Sequence, residues 1–393
     1  MQPLAGIRVL DFGRFIAGPF CAAMLADMGA EVLRIEPPSG AEDRFMMPLE
    51  GLQDIGGALY LHCNRGKRSV TLDLRKPEAE EILKALVAQS DVVVANKPPP
   101  VLRRMGLDYA TLAALKPDIV VATSTAFGLD GPLADQPGFD GIGQAMSGAM
   151  HISGDVTAPR RTAVNVVDYG TAMAAAFGVA AALLRRATTG QGGEVSTSLL
   201  DTALNYAMSP ILDHATGSRR RDRIGNRSLA AAPSDVFACT DGHVLIQVVG
   251  QAAFSRFAAL IGREDLLSDA AFANDTLRGE HGAALSSITE DWTKGQSCAD
   301  VVAALSRARI PAAEVLDLPG VLDPGRGLVG HLLPERALGN GVAVPFARPP
   351  ALLSGMTSDT PPAPRLGADT DDVLRTAGFS TERIAAFRDG GAI

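Results

Sequence analysis

Several familiar sources of chemistry are missing from this sequence. Its four cysteines (Cys21, Cys63, Cys239, Cys298) lie far apart and form no CxxC pair. That spacing argues against a zinc centre or a disulfide framework and suits a reducing, cytoplasmic setting. There is no GxxxxGK[ST] phosphate loop, no HExxH and no GxSxG elbow, so the signatures of nucleotide-driven, zinc-peptidase and α/β-hydrolase chemistry are lacking. Gly141-Ile142-Gly143 is the nearest approach to a dinucleotide fingerprint, but its third glycine is misplaced and no strand precedes it. Arg8, Asp11 and Arg14 interrupt the N-terminus, which does not read as a signal peptide. The longest apolar run, Tyr169 to Leu184, falls short of the roughly 20 residues of a membrane span and reads as a buried helix. An excess of positive charge is lacking too. With 36 Lys and Arg against 44 Asp and Glu, the formal charge is −8, and no basic field favours nucleic acid or an anionic membrane. A polyanionic ligand must be met by a few placed cations.

What is present suffices for a large folded chain. At roughly 150 residues per domain, 393 residues suggest two domains, or one large domain with an insertion. The apolar fraction of 47% fills a sizeable core and excludes global disorder. Short β-branched runs at Ile7–Phe12, Glu31–Glu36, Ser69–Leu74, Asp91–Ala95 and Ile119–Ser124 alternate with helical patterns at Pro19–Met28 and Pro77–Ser90. This rhythm predicts an α/β fold, a Rossmann-like parallel sheet with helices on both faces. Residues 125–165 read as a long loop with one or two helical turns, followed by a short strand, Val164–Val167, and a helix over Tyr169–Arg186. The irregular basic stretch Ser218–Arg227 marks a boundary. Beyond it a hairpin around Asp241-Gly242 and several helices predict a smaller α+β domain. The expected division is 1–217, 218–322 and 323–393, the last carrying a Pro-rich segment (Pro345 to Pro364) and two closing helices.

Asp168 stands out among the carboxylates. It ends the expected strand and stands directly before a helix, at the carboxyl end of the sheet, where open α/β folds place ligands. Helix-terminal N–H groups there hold a carboxylate ionised. The same position also suits an ordinary N-cap that binds nothing. Lys67, Arg68 and Arg75 bracket one strand, and Lys97, Arg103 and Arg104 follow another; such groups suit phosphate, or simply a solvated face. Asn96, before Lys97-Pro98-Pro99-Pro100, is placed either to bond a ligand or to make a turn. The six histidines show no ligand spacing, and no metal is expected.

Taken in order, a series of short stretches covering nearly the whole chain resembles the class III CoA-transferase family. They are Leu4-Ala5-Gly6-Ile7-Arg8-Val9-Leu10-Asp11 running into Ala17-Gly18-Pro19; Asp27-Met28-Gly29-Ala30-Glu31-Val32 into Ile35-Glu36-Pro37; and Asn64-Arg65-Gly66-Lys67-Arg68-Ser69 with Leu72-Asp73-Leu74. Asp91-Val92-Val93-Val94, Asn96 and Leu102-Arg103-Arg104-Met105-Gly106 follow. Then come Gly131-Pro132, Gly138-Phe139-Asp140, Val167-Asp168-Tyr169, Thr189-Gly190-Gln191-Gly192 and Leu366-Gly367. The resemblance implies that Asp168 is the nucleophile, forming a mixed anhydride and then an aspartyl-CoA thioester, with no tightly bound cofactor and CoA or acyl-CoA as substrate. It further implies CoA contacts from Ile16, Ala17, Leu72, Arg75, Asn96, Lys97 and Arg104, with Phe139, Gln144 and Met146 near the acyl pocket. The expected partners are an acyl-CoA, with succinyl-CoA a common donor, and a small carboxylic acid. Two chains are expected to interlock as a homodimer, residues 323–393 returning to the large domain.

Departures from the family pattern bear on the nucleotide contacts. Pro37-Pro38 stands where some members have an arginine, Ala41-Glu42 replaces Gly-Asp, Pro100 replaces Gly, and Ala368-Asp369 replaces Glu-His. The family also includes α-methylacyl-CoA racemases, which need a second acid/base. The racemase histidine position is Phe139 here and the glutamate position is Gln251; neither residue moves a proton as those groups do. Transferase is therefore the expected activity, with racemase and non-catalytic acyl-CoA binder as alternatives.

Overall fold

Runs of β-branched residues with both faces apolar build the main sheet of the computed structural model, which describes residues 2–155, 157–217, 223–338, 341–356 and 359–393. Its six strands are β1 (Arg8–Asp11), β2 (Glu31–Glu36), β3 (Lys67–Thr71), β4 (Val92–Ala95), β5 (Val120–Thr125) and β6 (Gly193–Ser198). All neighbours are parallel and the order is β3-β2-β1-β4-β5-β6, with Val9 opposite both Val32 and Val92. This is the doubly wound order, which reverses direction between β1 and β4. On one face Leu10, Leu33, Ile35, Val70, Val93 and Val121 pack against the helices Ala79–Ala88, Thr370–Thr376 and Thr381–Asp389. On the other, Val9, Val32, Val92, Val94, Val120 and Ala122 meet the helices Ala17–Asp27 and Val166–Thr189.

Two local expectations change. Val164–Val167 is not a strand: the helix begins at Val166, and Val164 is 61% exposed with its carbonyl accepting from the Val166 N–H. Four apolar residues are too few for periodicity to separate a strand from a helix start. The sixth strand was not expected, because Gly193–Ser198 (GEVSTS) is polar and lies at the sheet edge, where only one neighbour demands an apolar face. The helix Val166–Thr189 is long and apolar enough by composition to cross a membrane. Its small-residue stripe, Ala172, Ala175, Ala176, Val179 and Ala182, is packed on the sheet instead. Gly178 lets it settle there, since a Cβ would approach Val195 Cγ1 to 2.5 Å.

The chain divides into two compact units. The first comprises Met1–Ala149, Thr162–Thr216 and Gly330–Ile393; the second comprises Met150–Arg161 and Gly217–Val329. The basic run Ser218–Asp222 lies outside the described residues. In the second unit, antiparallel β7 (Ser234–Ala238), β8 (His243–Gln247) and β9 (Ala312–Glu314) pack Phe237, Val244 and Ile246 against Phe254, Phe257, Leu285, Val301 and Leu305.

Charges buried within the first unit tie the ends of β1, β2 and β3 to the loops that follow. Lys67 Nζ donates to Asp11 Oδ2 at 2.7 Å, Asn64 Oδ1 at 2.9 Å and the Pro19 carbonyl at 2.7 Å. Arg34 forks onto Asp43 at 2.9 and 3.0 Å and also reaches the Gly13 carbonyl. Arg44 binds Glu36 and donates to the Tyr60 hydroxyl at 2.6 Å. Removing one partner strands the other without solvent, so Lys67→Ala is expected to cost about 3–5 kcal/mol. Lys84→Ala, which breaks only an exposed Lys84–Glu80 pair, is expected to leave stability unchanged within error. Urea unfolding midpoints check both.

Candidate active site

A cleft of about 930 Å³ lies over the carboxyl ends of the sheet strands. Its wall takes a residue from the segment following each one: Phe12 after β1, Pro37 after β2, Leu72 after β3, Asn96 after β4, Ala126 after β5 and Leu199 after β6. It therefore spans the β1/β4 reversal, where open α/β sheets bind ligands.

Asp168 opens into this cleft. It occupies the first turn of the helix Val166–Thr189 rather than a strand end, and only 9% of it is exposed. It does not cap that helix. The capping position is Asn165, which makes no side-chain bond. Asp140, buried at the start of the helix Asp140–Met146, does the work from outside: its Oδ2 accepts from the N–H groups of Val167 (2.8 Å) and Asp168 (3.0 Å). The Asp168 carboxylate itself has no hydrogen-bond partner among the described residues. Burial first, and then the Asp140 charge, push its pKa up from 3.8 to about 7. Close packing sets this turn in place. Gly170 sits under the Tyr206 hydroxyl, where a Cβ would come to 1.6 Å, and Gly143 lies against Val167 and Leu199.

The cations are sorted by burial. Arg75, Lys97 and Arg104 line the cleft. Lys97 and Arg104 have no ion-pair partner among the described residues, whereas Arg75 forks onto Asp73 at 2.8 Å. Burial, and then the neighbouring Arg14 and Arg34, pull the Lys97 pKa down. Lys67 is spent inside the fold on Asp11, Arg68 pairs with Glu31, Asp369 and Asp372, and Arg103 does not line the cleft. Asn96 lines the cleft and also holds its wall. Its amide takes the Arg14 N–H on Oδ1 (2.6 Å) and donates to the Arg14 carbonyl (2.7 Å), with Gly18 packed against it.

Ala17, Leu72, Arg75, Asn96, Lys97, Arg104 and Phe139 thus share one cleft with Asp168. Three residues implied for the site do not line it. Ile16 is buried in the core beneath the Ala17–Asp27 helix. Gln144 is buried and bonded to Asp140, and Met146 is half-exposed outside the lining. Arg14 and Phe15 are among the lining residues outside the expected set. They follow β1 directly at the reversal point, and that position was the available signal. Phe15 sits at φ 60°, a strained conformation for a non-glycine residue, with its ring edge-on to Phe139 at 5.4 Å. His62 packs against Phe20 and Tyr169, and burial drives its pKa to about 4, so it stays neutral.

A family model described as CoA-transferase family III matches residues 4–370. The chain belongs to this family. It is 31% identical over 388 residues, 95% of each chain, to the succinate–glutarate CoA-transferase of Agrobacterium fabrum (strain C58). It is 34% identical over 317 residues, 80% of this chain and 78% of the relative, to the succinyl-CoA–D-citramalate CoA-transferase of Chloroflexus aurantiacus. A CAIB/BAIF family protein from Brucella suis superposes with a TM-score of 0.81 at 29% identity, covering 96% of this chain and 99% of that one. Membership of CoA-transferase family III makes this chain a transferase whose substrates are CoA thioesters.

The position of Asp168 has a stability signature. Below about pH 3.8 Asp168 is protonated in both folded and unfolded states. As pH rises toward 7 the unfolded chain releases the proton while the native state retains it, so native stability falls across this window. Asp168→Asn escapes that loss and is expected to be more stable than the parent at pH 8, by up to about 4 kcal/mol, with the gap closing toward pH 4. Urea unfolding at pH 4, 6 and 8 checks the sign; a gap that widens toward acid contradicts it.

Proposed function

We propose that this family III transferase moves CoA from an acyl-CoA to a free carboxylic acid, with Asp168 as the covalent relay. The observation that carries the reading is a nearly buried carboxylate without a hydrogen-bond partner among the described residues, opening into a cleft whose other walls bring Arg14, Arg75, Lys97 and Arg104. Those cations suit the phosphates of CoA, and Asp168 suits attack on its thioester.

The exchange balances without an outside reagent. An Asp168 oxygen attacks the thioester carbonyl, forming a mixed anhydride and releasing CoA thiolate. The thiolate attacks the aspartyl carbonyl, giving an aspartyl-CoA thioester and the donor's free carboxylate. The acceptor carboxylate repeats the first attack on that thioester, and the thiolate then takes the new acyl group, restoring Asp168. Each step trades one activated acyl bond for another, and shielding from water protects the intermediates from hydrolysis.

Similarity to the Agrobacterium and Chloroflexus transferases supports succinyl-CoA as donor. The same family resemblance supports an interlocked homodimer in the cytoplasm; a stable, active monomer by light scattering would contradict that assembly. The racemase alternative loses ground on geometry. Phe139 carries no proton, and the Gln251 amide oxygen accepts from buried Arg278 at 2.8 Å, which fixes it in a structural bond.

Acyl-CoA supplied with hydroxylamine is expected to leave a hydroxamate on Asp168, detectable by peptide mass spectrometry. Asp168→Ala is expected to lower exchange by roughly 10³-fold or more. Exchange at near-parent rates in that variant, or an adduct on another side chain, overturns the mechanism. Because the free carboxylate is the nucleophile, kcat/KM should rise with pH and level off above about 7.

A further inference from the structure

A second carboxylate stands behind the nucleophile, and no step of the exchange uses it. Asp140 is buried, and both its oxygens are committed. Oδ2 takes the Val167 and Asp168 N–H groups, while Oδ1 accepts from the Gln144 side-chain amide. Gln144 is braced in turn, its Oε1 accepting from the Thr162 N–H at 3.1 Å. A chain of bonds thus runs from Thr162 through Gln144 and Asp140 to the peptide of the nucleophile.

We propose that Asp140 is the positioning residue of the reaction: it fixes the helical turn that carries Asp168, and its charge keeps the nucleophile reactive. The inference rests on Asp168 being the nucleophile of the proposed exchange. A helix start leaves its first N–H groups free, and they would naturally turn toward a carboxylate in the same turn. Asp140 occupies two of them from outside, so Asp168 loses donors that would otherwise stabilise its anion. Asp140 also places a like charge beside it. That repulsion lasts only while Asp168 is a free carboxylate and ends when it becomes a neutral anhydride or thioester. The arrangement therefore raises the energy of the resting carboxylate relative to the acylated enzyme.

The surrounding elements bring titratable and charged groups of both signs. From the helix Leu199–Tyr206 come Asp201, held by Ser198, and Tyr206, packed on Gly170. The helix Ala17–Asp27 brings buried Cys21 and, at its far end, Asp27, which is held by Arg65. Tyr169 on the nucleophile's own helix lies beside Cys63 and His62, β5 has no charged residue, and β6 brings Glu194. Arg14, Glu36, Glu42, Asp73, Arg75, Lys97 and Arg104 share the cleft from the ends of β1 to β4.

Asp140→Asn keeps an oxygen for the two N–H donors and removes the charge, while the Gln144 oxygen can serve either the new amide or the Thr162 N–H, one bond of the brace being lost. The expected result is a pH–kcat/KM inflection at least about one pH unit below the parent's, with kcat lowered roughly tenfold and KM changed less than about twofold. An inflection within about 0.3 pH unit of the parent overturns the proposal. A second arm needs no turnover. At pH 8 the stability gap between the parent and Asp168→Asn should shrink measurably, by less than half because burial is the larger cause, when both chains also carry Asp140→Asn. An unchanged gap overturns the proposal, even in a chain that shows no exchange, whereas absent exchange with a shrunken gap removes only the proposed reaction. Should Asp140→Asn fail to fold, Gln144→Met frees the outer oxygen without altering charge. It is expected to lower kcat severalfold with KM and the inflection unchanged; kcat within about twofold of the parent overturns the positioning role.

Discussion

Asp168 is a charge held where water solvates it poorly, and much of its surroundings follows from that constraint. Burial raises the free energy of an anion unless donors or opposite charges repay it. Here the nearest helix-terminal donors go to Asp140, and the cations of the cleft line the ends of strands β1, β3 and β4. Asp168 is left accessible, undersolvated and beside a like charge, and two apolar faces of a six-stranded sheet provide the stability that tolerates it.

The opposite solution operates a few residues deeper. Asp11, Arg34, Glu36 and Lys67 are as thoroughly enclosed as Asp168, yet each has an ionic partner and further hydrogen bonds. Their partners, Asp43, Arg44 and Asn64, belong to the segments leading out of β2 and into β3, so the pairing holds cleft-forming loops against the sheet. A satisfied set of charges makes a stiff floor, and the unsatisfied one above it is free to react. Asn96 extends the same logic to the β1 and β4 ends by clamping the Arg14 peptide with both atoms of its amide.

How far the chain could be read in advance depended on whether a signal was local. Strands β1 to β5 were legible because buried parallel strands need apolar residues on both faces. β6 was hidden by its polar edge composition, and the start of the Asp168 helix by an apolar run too short to carry a period. Order and spacing of motifs pointed to Asp168 and to seven further residues that line the same cleft. Lys67 was misjudged because its partner, Asp11, lies 56 positions away; a lysine at a strand end looks alike in sequence whether it faces phosphate or a buried aspartate. Gln144, expected near the acyl pocket, instead bonds Asp140 and the Thr162 N–H, a distinction only the hydrogen bonds reveal. Arg14 was passed over because its place at the sheet reversal depends on strand order, which emerges only when β1 and β4 pair.

The outer edge of the sheet is finished by residues made long after it. β3 is the terminal strand; its backbone is met by Asp369 and Thr370, the Gly367 N–H donates to the Ser69 hydroxyl, and the Asp73 N–H just beyond the strand donates to the Ala392 carbonyl. Some 300 positions separate Ser69 from Asp369. At roughly 5–20 residues per second on the ribosome, tens of seconds pass between the emergence of this strand and that of the segment that seals it. During synthesis the nascent half-domain therefore carries an open, adhesive rim, and the quality of folding in the cell depends on what shelters that rim until translation ends.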